Sequence, residues 1–414
     1  MAGPHPRPRV VVTGIGAVSA AGPDRAAVLG ALKAGRSALG PIELFDGTPY
    51  GGQLAGEARH LPRNAGEDRA LQLLRIATDE VVRDAGWGDA ERGPETAVVL
   101  GTCQGGIENA KPIHRDYLRR PCPDGDVAEG AEHPRAFAEY RPGAGAAQVA
   151  EQIGAGGPRS TVGMVCVSSS VALIHAIDLL RRGEATRIVA GGFESFTQFV
   201  FTGFHCIGAM AAGPLRPFDE RRDGTVLGEG AVLLALETAE AAEARGATIL
   251  AELAGGGFAA DAFHMTAPDP KGGGLERAIR QAFADAGVGP GDVDYVSAHG
   301  TGTVFNDGME SVAFERLFAE RAGAGDMPPI SGVKSIFGHT LGAAGALDAV
   351  ACVLAIEHDM LPPTTAHAEP LRDLPWDFVA GPGRDREGLD VLLSTNSAFG
   401  GNNSALVVRR WAGR

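Results

Sequence analysis

Cysteine is scarce in this chain. The five residues, Cys103, Cys122, Cys166, Cys206 and Cys352, are odd in number, far apart and without a CxxC pair. That pattern excludes a disulfide framework and argues against a zinc site. Positive charge is also short, since 37 Lys and Arg against 51 Asp and Glu leave a net charge of −14. A general nucleic-acid surface needs a basic face and is therefore excluded, although an acidic chain can still carry a local basic patch. No uninterrupted apolar run approaches the roughly 18 residues needed to cross a bilayer. The opening MAGPHPRPRVVVTG passes from a basic leader into a Val-rich strand with neither a signal-peptide core nor a cleavage site. The expectation is a soluble cytoplasmic protein that binds neither membrane nor nucleic acid. Low-complexity tracts are missing too, because the 60 Gly and 26 Pro are spread along the chain and punctuate short elements.

What is present is an ordinary globular composition, 44% hydrophobic and 21% charged. At 414 residues the chain exceeds the size at which one core stops growing, so two core units are expected. The sequence rhymes with itself accordingly. VVVTGIGAVS at 10–19 is matched by the apolar stretch ILAELAGGGFAAD beginning at 249. AVVLGTCQGG (97–106) is answered by VDYVSAHGTGT (293–303), and the segment 164–185 by 331–361. RIVAGGFES (187–195) is answered by VLLSTNSAFGG (391–401). A strand followed by glycine is common, so the common order of the four pairs carries the inference of an internal duplication. Apolar strands alternating with amphipathic helices indicate an α/β architecture with helix-covered sheets. The halves divide as 1–247 and 248–414, with the seam at 237–247. The charged, Pro-rich segment 107–160 reads as an insertion that caps the site or meets a partner.

Cys166 falls where the strand MVCV meets three serines and a long helix. A lone free cysteine is more often a packing residue, but one at a helix N-terminus meets the positive end of the dipole, which favours the thiolate. His299, in AHGTGT after a strand, is alone more often structural than catalytic. Around it the glycines permit close ligand approach, and Thr301 and Thr303 offer hydroxyls to an amide-bearing arm. Asp307 and Glu310 follow where a helix begins. Lys334 precedes His339 in GVKSIFGHTLGAAGA, and a lysine in so apolar a strand is costly unless paired. Glu310 and Asp307 are the expected partners. The Gly and Ala residues after His339 let that helix pack closely against another backbone. Phe399 precedes two glycines and two asparagines, a turn able to present an N–H group to a substrate oxygen, or else a plain hairpin.

These motifs, with RPFDERRDGTVLGEGAVLLALE (216–237) and the terminal FGGNN (399–403), resemble the β-ketoacyl-acyl carrier protein synthase family of type II fatty acid and polyketide synthesis. The likeness runs from about residue 8 to 409. It implies a thiolase fold, two duplicated βα halves in a layered α-β-α-β-α architecture. The implied reaction is a decarboxylative Claisen condensation of an acyl chain on Cys166 with malonyl-acyl carrier protein. By position, His299 and His339 would be the paired histidines, Lys334 and Glu310 a supporting ion pair, and Asp307 a nearby carboxylate. Phe399 would be the gate, its N–H forming an oxyanion hole with that of Cys166. Thr301 and Thr303 would hold the pantetheine amides. No metal or other cofactor is implied, since the phosphopantetheine arm belongs to the acyl carrier protein.

The implied partners are that carrier and a second subunit, either a copy of the chain or a chain-length-factor homologue. Met164–Val165 before the cysteine, SAF near the C-terminus and Val304 depart from the usual pattern and lean the pathway towards specialised polyketide or polyene synthesis. A thiolase-like acyltransferase without decarboxylation is the alternative. The aromatic stretch 193–210 reads equally as acyl-pocket lining or as core. For docking an acidic carrier, Arg69 and Arg75 or the group Arg115, Arg119 and Arg120 are candidates.

Overall fold

The computed structural model describes residues 7–50, 54–63, 67–108, 110, 138–321, 327–371 and 376–413. Most of the insertion, together with Cys122, Arg115, Arg119 and Arg120, lies outside the described residues. One ten-stranded sheet organises the chain. Its strands are β1 (Val10–Ser19), β2 (Thr96–Gly101), β3 (Arg159–Val162), β4 (Arg187–Glu194) and β5 (Gly230–Thr238), followed by β6 (Ala251–Ala260), β7 (Val293–Ser297), β8 (Ile330–Ser331), β9 (Val391–Ala398) and β10 (Asn402–Arg409). Their spatial order is β8-β7-β9-β10-β6-β1-β5-β4-β2-β3.

Read outward from the centre, each half has the same order, and the pairing senses agree. β1–β5 and β5–β4 are antiparallel while β4–β2 and β2–β3 are parallel. β6–β10 and β10–β9 are antiparallel while β9–β7 and β7–β8 are parallel. All four rhyming segments occupy equivalent places, and β5 with β10 supplies a fifth pair that the sequence comparison missed. The halves meet at the β1–β6 edge, where Val11 faces Glu252 and Val12 faces Ala251.

Alternation along the strands sorts the side chains into layers. In β5, Val232, Leu234 and Leu236 join a central core, whereas Ala231, Leu233 and Ala235 face the other way. Both faces being buried is why such strands read as continuous apolar runs. Helices α1 (Arg69–Asp84) and α2 (Ala144–Ile153) cover the outer face of the first half. α3 (Ser168–Arg181) and α6 (Ala344–His358) fill the centre, and α4 (Gly273–Ala286) with α5 (Val304–Phe318) cover the second half. This is the expected five-layer α-β-α-β-α thiolase architecture.

The central helices touch through small residues. A Cβ at Gly345 would come within 2.7 Å of Ser170 Cβ, and Ser170 Oγ in turn bonds Ser404 Oγ at 2.6 Å. The close helix packing expected after His339 is therefore made against α3. Leu341–His358 has the length and mean hydropathy of a membrane span, but Asp348 and Glu357 interrupt it and 89% of it is buried, because it is the central core helix.

Candidate active site

Cys166 does not end a strand, as its sequence suggested. β3 stops at Val162, and Cys166 is the middle residue of a 3₁₀ turn, Val165–Val167, that feeds α3. Val165 takes φ +53°, a left-handed conformation that costs a β-branched residue about 1–2 kcal/mol. Ser168 lashes the turn down, its hydroxyl donating to the Val165 carbonyl at 2.6 Å and accepting from Met164 N–H at 2.8 Å. The second half repeats the device. A 3₁₀ turn, Leu341–Ala343, precedes α6, and Leu341 has φ +48°. Cys166 and Gly342 thus occupy the middle of two equivalent elbows, and a Cβ at Gly342 would lie 2.6 Å from Cys103 N.

His339 lies just before the second elbow. Its Nδ1 accepts the Leu341 N–H at 3.3 Å, which places the ring proton on Nε2. That Nε2 is 3.1 Å from Cys166 Sγ. His299 follows β7, and its Nδ1 is 3.3 Å from the side-chain amide nitrogen of Asn396 in β9. The same nitrogen donates to Asp348 Oδ2 at 2.6 Å. A carboxylate only accepts, so it fixes which end of the Asn396 amide faces His299, and the His299 proton also resides on Nε2. The two imidazoles meet edge-to-face with ring centroids 5.3 Å apart. Burial and the Lys334 charge hold both pKa values well below the usual histidine value, and His339 adds to the effect on His299. Both rings are therefore neutral Nε2–H donors at pH 7.

The cysteine itself departs from expectation. Burial pushes its thiol up to about 12 and Glu194 adds to the rise, while Lys334 opposes it. Desolvation of the thiolate outweighs the helix dipole here, so the resting group is a neutral thiol.

Lys334 is also placed differently. It starts a helical turn, Lys334–Phe337, and its Nζ pairs with Asp348 Oδ2 at 2.7 Å, both groups being buried. The partner is therefore neither Glu310 nor Asp307. Glu310 feels Lys334 through the field, but its carboxylate accepts the backbone N–H groups of His299 (2.7 Å) and Gly300 (2.8 Å) and the side chain of Asn306 (2.8 Å). Asp307 accepts from Phe218 N–H at 2.8 Å and Gly302 N–H at 3.2 Å. These two carboxylates hold the turn that carries His299. Burial raises Glu310 to about 7 and Asp307 to about 6. Asp348 and Asn396 went unremarked in the sequence. The available signal was a lone aspartate inside an otherwise apolar helix, which demanded a buried partner just as Lys334 did.

Cys166, His299 and His339 open into a cavity of about 260 Å³. Thr301, Thr303 and Phe399 line it as well, so the structure brings these expected residues together. Lys334, Glu310, Asp307 and Asp348 stand behind the lining. Thr303 additionally caps α5, its hydroxyl accepting Asn306 N–H at 3.3 Å. Phe399 packs its ring 5.4 Å from that of Phe204.

The aromatic stretch 193–210 divides its work. Phe204 lines the cavity, Phe193 joins the first outer core, and Phe196 and Phe201 pack with Phe45 beside Cys166. The basic docking patch fares less well. Arg69 is 3% exposed and pairs with Glu229 at 3.0 Å, so it is a structural residue, and Arg75 pairs with Glu67. Among the described residues the cavity lining contains Asp223 but neither Lys nor Arg, and Val304 and Phe305 in it are exposed.

Residues 7–242 match the β-ketoacyl synthase N-terminal domain and residues 250–368 the β-ketoacyl synthase C-terminal domain. The ketoacyl synthase alpha subunit of the tetracenomycin polyketide synthase from Streptomyces glaucescens is 37% identical, covering 98% of each chain. Nodulation protein E of Rhizobium sp. (strain N33) is 37% identical, over 97% of this chain and 99% of its own. Among solved structures, the ishigamide ketosynthase/chain length factor superposes with a TM-score of 0.89 at 34% identity, covering 98% of this chain and 100% of the other. A type II polyketide synthase acyl-carrier protein in complex with its hexaketide-bound ketosynthase gives 0.88 at 28% identity, with the same coverage. With the duplicated fold, the paired neutral histidines and these likenesses in agreement, the chain belongs to the β-ketoacyl synthase family of thiolase-fold, acyl-transferring enzymes.

Proposed function

We propose that this enzyme extends a carrier-bound acyl chain by decarboxylative condensation with malonyl-acyl carrier protein in a type II polyketide or polyene pathway. The observation that carries the reading is the pair of imidazoles, each with Nδ1 occupied and its proton on Nε2, lining a cavity that also holds Cys166 Sγ, which His339 Nε2 meets at 3.1 Å. Cys166 attacks the incoming thioester. The new thioester bond forms on Sγ, the carrier thiol leaves, and the cysteine proton passes to it. In the second step the malonyl thioester loses carbon dioxide. The electron pair released becomes an enolate whose oxygen receives hydrogen bonds from His299 and His339. Its carbon attacks the acyl carbonyl on Cys166, whose oxygen sits against the N–H groups of Cys166 and Phe399. Collapse frees the cysteine sulfur, which takes up a proton. Lys334 keeps the local potential positive, and Thr301 and Thr303 bind the pantetheine amides.

In this reading the nucleophile belongs to the half 1–247 and the histidines to 248–414. The carrier supplies the phosphopantetheine arm, and the protein needs no cofactor of its own. It works in the cytoplasm, as a dimer with itself or with a chain-length-factor homologue. The likeness to the tetracenomycin alpha subunit and the ishigamide ketosynthase supports the specialised pathway and the second of these partners.

The test is to load the protein from acyl carrier proteins, record the mass on Cys166, then add malonyl carrier and measure carbon dioxide. Cys166→Ala should lose the acyl mass while keeping its fold. His339→Ala should load but release carbon dioxide slowly. Intact loading with no carbon dioxide from the unaltered enzyme would replace this reading by a non-decarboxylating acyltransfer.

A further inference from the structure

The cavity lining holds a polar side chain that the mechanism above leaves idle. Thr225 is 1% exposed, and its hydroxyl has no hydrogen-bond partner among the described residues. Its backbone is satisfied, the N–H donating to the Ala209 carbonyl at 2.8 Å and the carbonyl accepting Ala211 N–H at 2.9 Å. The other hydroxyls described in the lining are accounted for. Thr301 and Thr303 bond one another at 3.0 Å, Ser397 donates to Asn403 Oδ1 at 2.8 Å, and Thr266 is exposed. A buried unpaired hydroxyl is costly to the folded protein, and at a cavity wall a ligand supplies the missing partner.

Thr225 also stands at the reacting end of the cavity. Gly224 N–H donates to the Gly302 carbonyl at 3.1 Å, in the turn that carries Thr301 and Thr303, and the Val226 carbonyl accepts His339 N–H at 2.7 Å. The chain bridges its neighbours at Thr225, Leu227 and Gly228, with Leu227 opposite His339, as an extended segment does. Side chains alternate along such a segment. Val226 packs with Ala211 and Leu215, Leu227 packs in the cluster that contains Cys166, and Thr225 shares the face of Leu227.

We infer that the Thr225 hydroxyl donates a hydrogen bond to the carboxylate of the malonyl unit, and so selects the extender over acyl thioesters that use the same cavity. This builds on the condensation reading above. Acyl chain and malonyl unit arrive on the same kind of arm, and the carboxylate is what tells them apart. His299 and His339 serve the thioester oxygen, which leaves the carboxylate to be met by another donor. A cation in contact with it would hold the charge that the reaction must release, and among the described residues neither Lys nor Arg lines the cavity. One neutral hydroxyl orients the carboxylate and holds it less firmly. As the carbon–carbon bond breaks, the electron pair passes to the enolate, carbon dioxide leaves, and Thr225 keeps its proton.

The experiment compares Thr225→Val, which keeps the shape and drops the hydroxyl, with Thr225→Ser, which keeps the hydroxyl. Two readouts are taken from each, the acyl mass gained by Cys166 from an acyl carrier thioester and the carbon dioxide released from malonyl carrier by the loaded enzyme. Thr225→Val should load as the unaltered protein does and melt no earlier, since the group it loses is unpaired. Its kcat/KM for malonyl carrier should fall about 10- to 100-fold, mostly through KM, as loss of a hydrogen bond to a charged group implies. Thr225→Ser should recover most of that loss.

An unchanged kcat/KM in Thr225→Val would overturn the inference. So would loading and carbon dioxide release falling together, because a hydroxyl that binds the shared arm, or only shapes the cavity, affects both steps. A serine variant as slow as the valine one, or a valine variant that melts markedly earlier, counts against it equally, the latter by showing that the hydroxyl is held within the protein. Loading without carbon dioxide from the unaltered enzyme is a different failure, which removes the condensation reading and this inference with it.

Discussion

Replacing Lys334 by methionine removes the charge but keeps a chain of similar length in its buried site. The partner left behind is Asp348, also buried, with Oδ2 bonded to Lys334 and Asn396 and Oδ1 without a hydrogen-bond partner among the described residues. Breaking a buried ion pair from one side costs about 3–5 kcal/mol, most of it from the stranded charge. Here the penalty depends on pH. Burial already raises Asp348, and Lys334 is the largest influence holding it down. Without Lys334 its folded pKa climbs further above the unfolded value, so the folded carboxyl keeps a proton that the unfolded one releases. The deficit in Lys334→Met is therefore smallest below the unfolded pKa of about 3.9 and grows as pH rises towards the new folded value. Adding Asp348→Leu removes the stranded charge and should recover most of the loss, less about 1 kcal/mol for the Asn396 bond. The assay is thermal and urea denaturation of the two single variants and the double variant at pH 5, 7 and 8.5, analysed as a double-mutant cycle. A cost below about 1 kcal/mol that is flat with pH, or strictly additive variants, would refute the buried-pair account.

Gly345→Ala should destabilise by about 1–3 kcal/mol and slow acyl loading, because the added methyl meets Ser170 in the helix that Cys166 opens; melting and mass-detected loading check both. Phe305→Asp, at the exposed rim of the cavity, should raise KM for carrier-bound acyl groups while leaving turnover of a short pantetheine thioester nearly unchanged. Burial holds the folded pKa of Glu310 at about 7, above its unfolded value, so the stability it contributes is full below pH 4.5 and is lost as pH rises through 7. Glu310→Gln should accordingly gain stability relative to the unaltered protein across that window, which denaturant midpoints at pH 5 and 8 will show.

The sequence announces elements that repeat and groups that are chemically conspicuous. Four rhyming segments were visible because each joins an apolar strand to glycine and small residues and because the four recur in the same order. The fifth pair stayed hidden because β10 starts inside the FGGNN turn, where the glycines masked the onset of a strand. Cys166, His299 and His339 could be read because nucleophile and imidazoles are rare side chains in suggestive places. Asp348 and Glu194 were harder, since each is one polar residue in the middle or at the end of an apolar element, and Asn396 is lost among the neighbouring polar residues Ser394, Thr395 and Ser397. Lys334 shows the difficulty directly. Its need for a partner was plain, but the acidic residues grouped with it by motif, Asp307 and Glu310, are engaged by backbone N–H groups, and the true partner Asp348 stands 14 residues further on inside an apolar helix. The thiol was misjudged for a physical reason of the same kind. A helix dipole is a local property legible from position, whereas desolvation depends on everything packed around the sulfur.

The two elbows, Val165–Val167 and Leu341–Ala343, show what a duplicated chain gains from being one polypeptide. Two identical half-chains meeting edge to edge would carry two equal thiols facing each other, and neither could be given a separate task. Joined in one sequence, the copies were free to diverge. One elbow keeps the sulfur at its crest, and the other bears a bare glycine whose N–H meets Glu194 while the preceding Leu341 N–H steadies an imidazole. The division of labour between holding a chain and activating the incoming unit is thus written into a broken symmetry, with the strained bend itself retained on both sides.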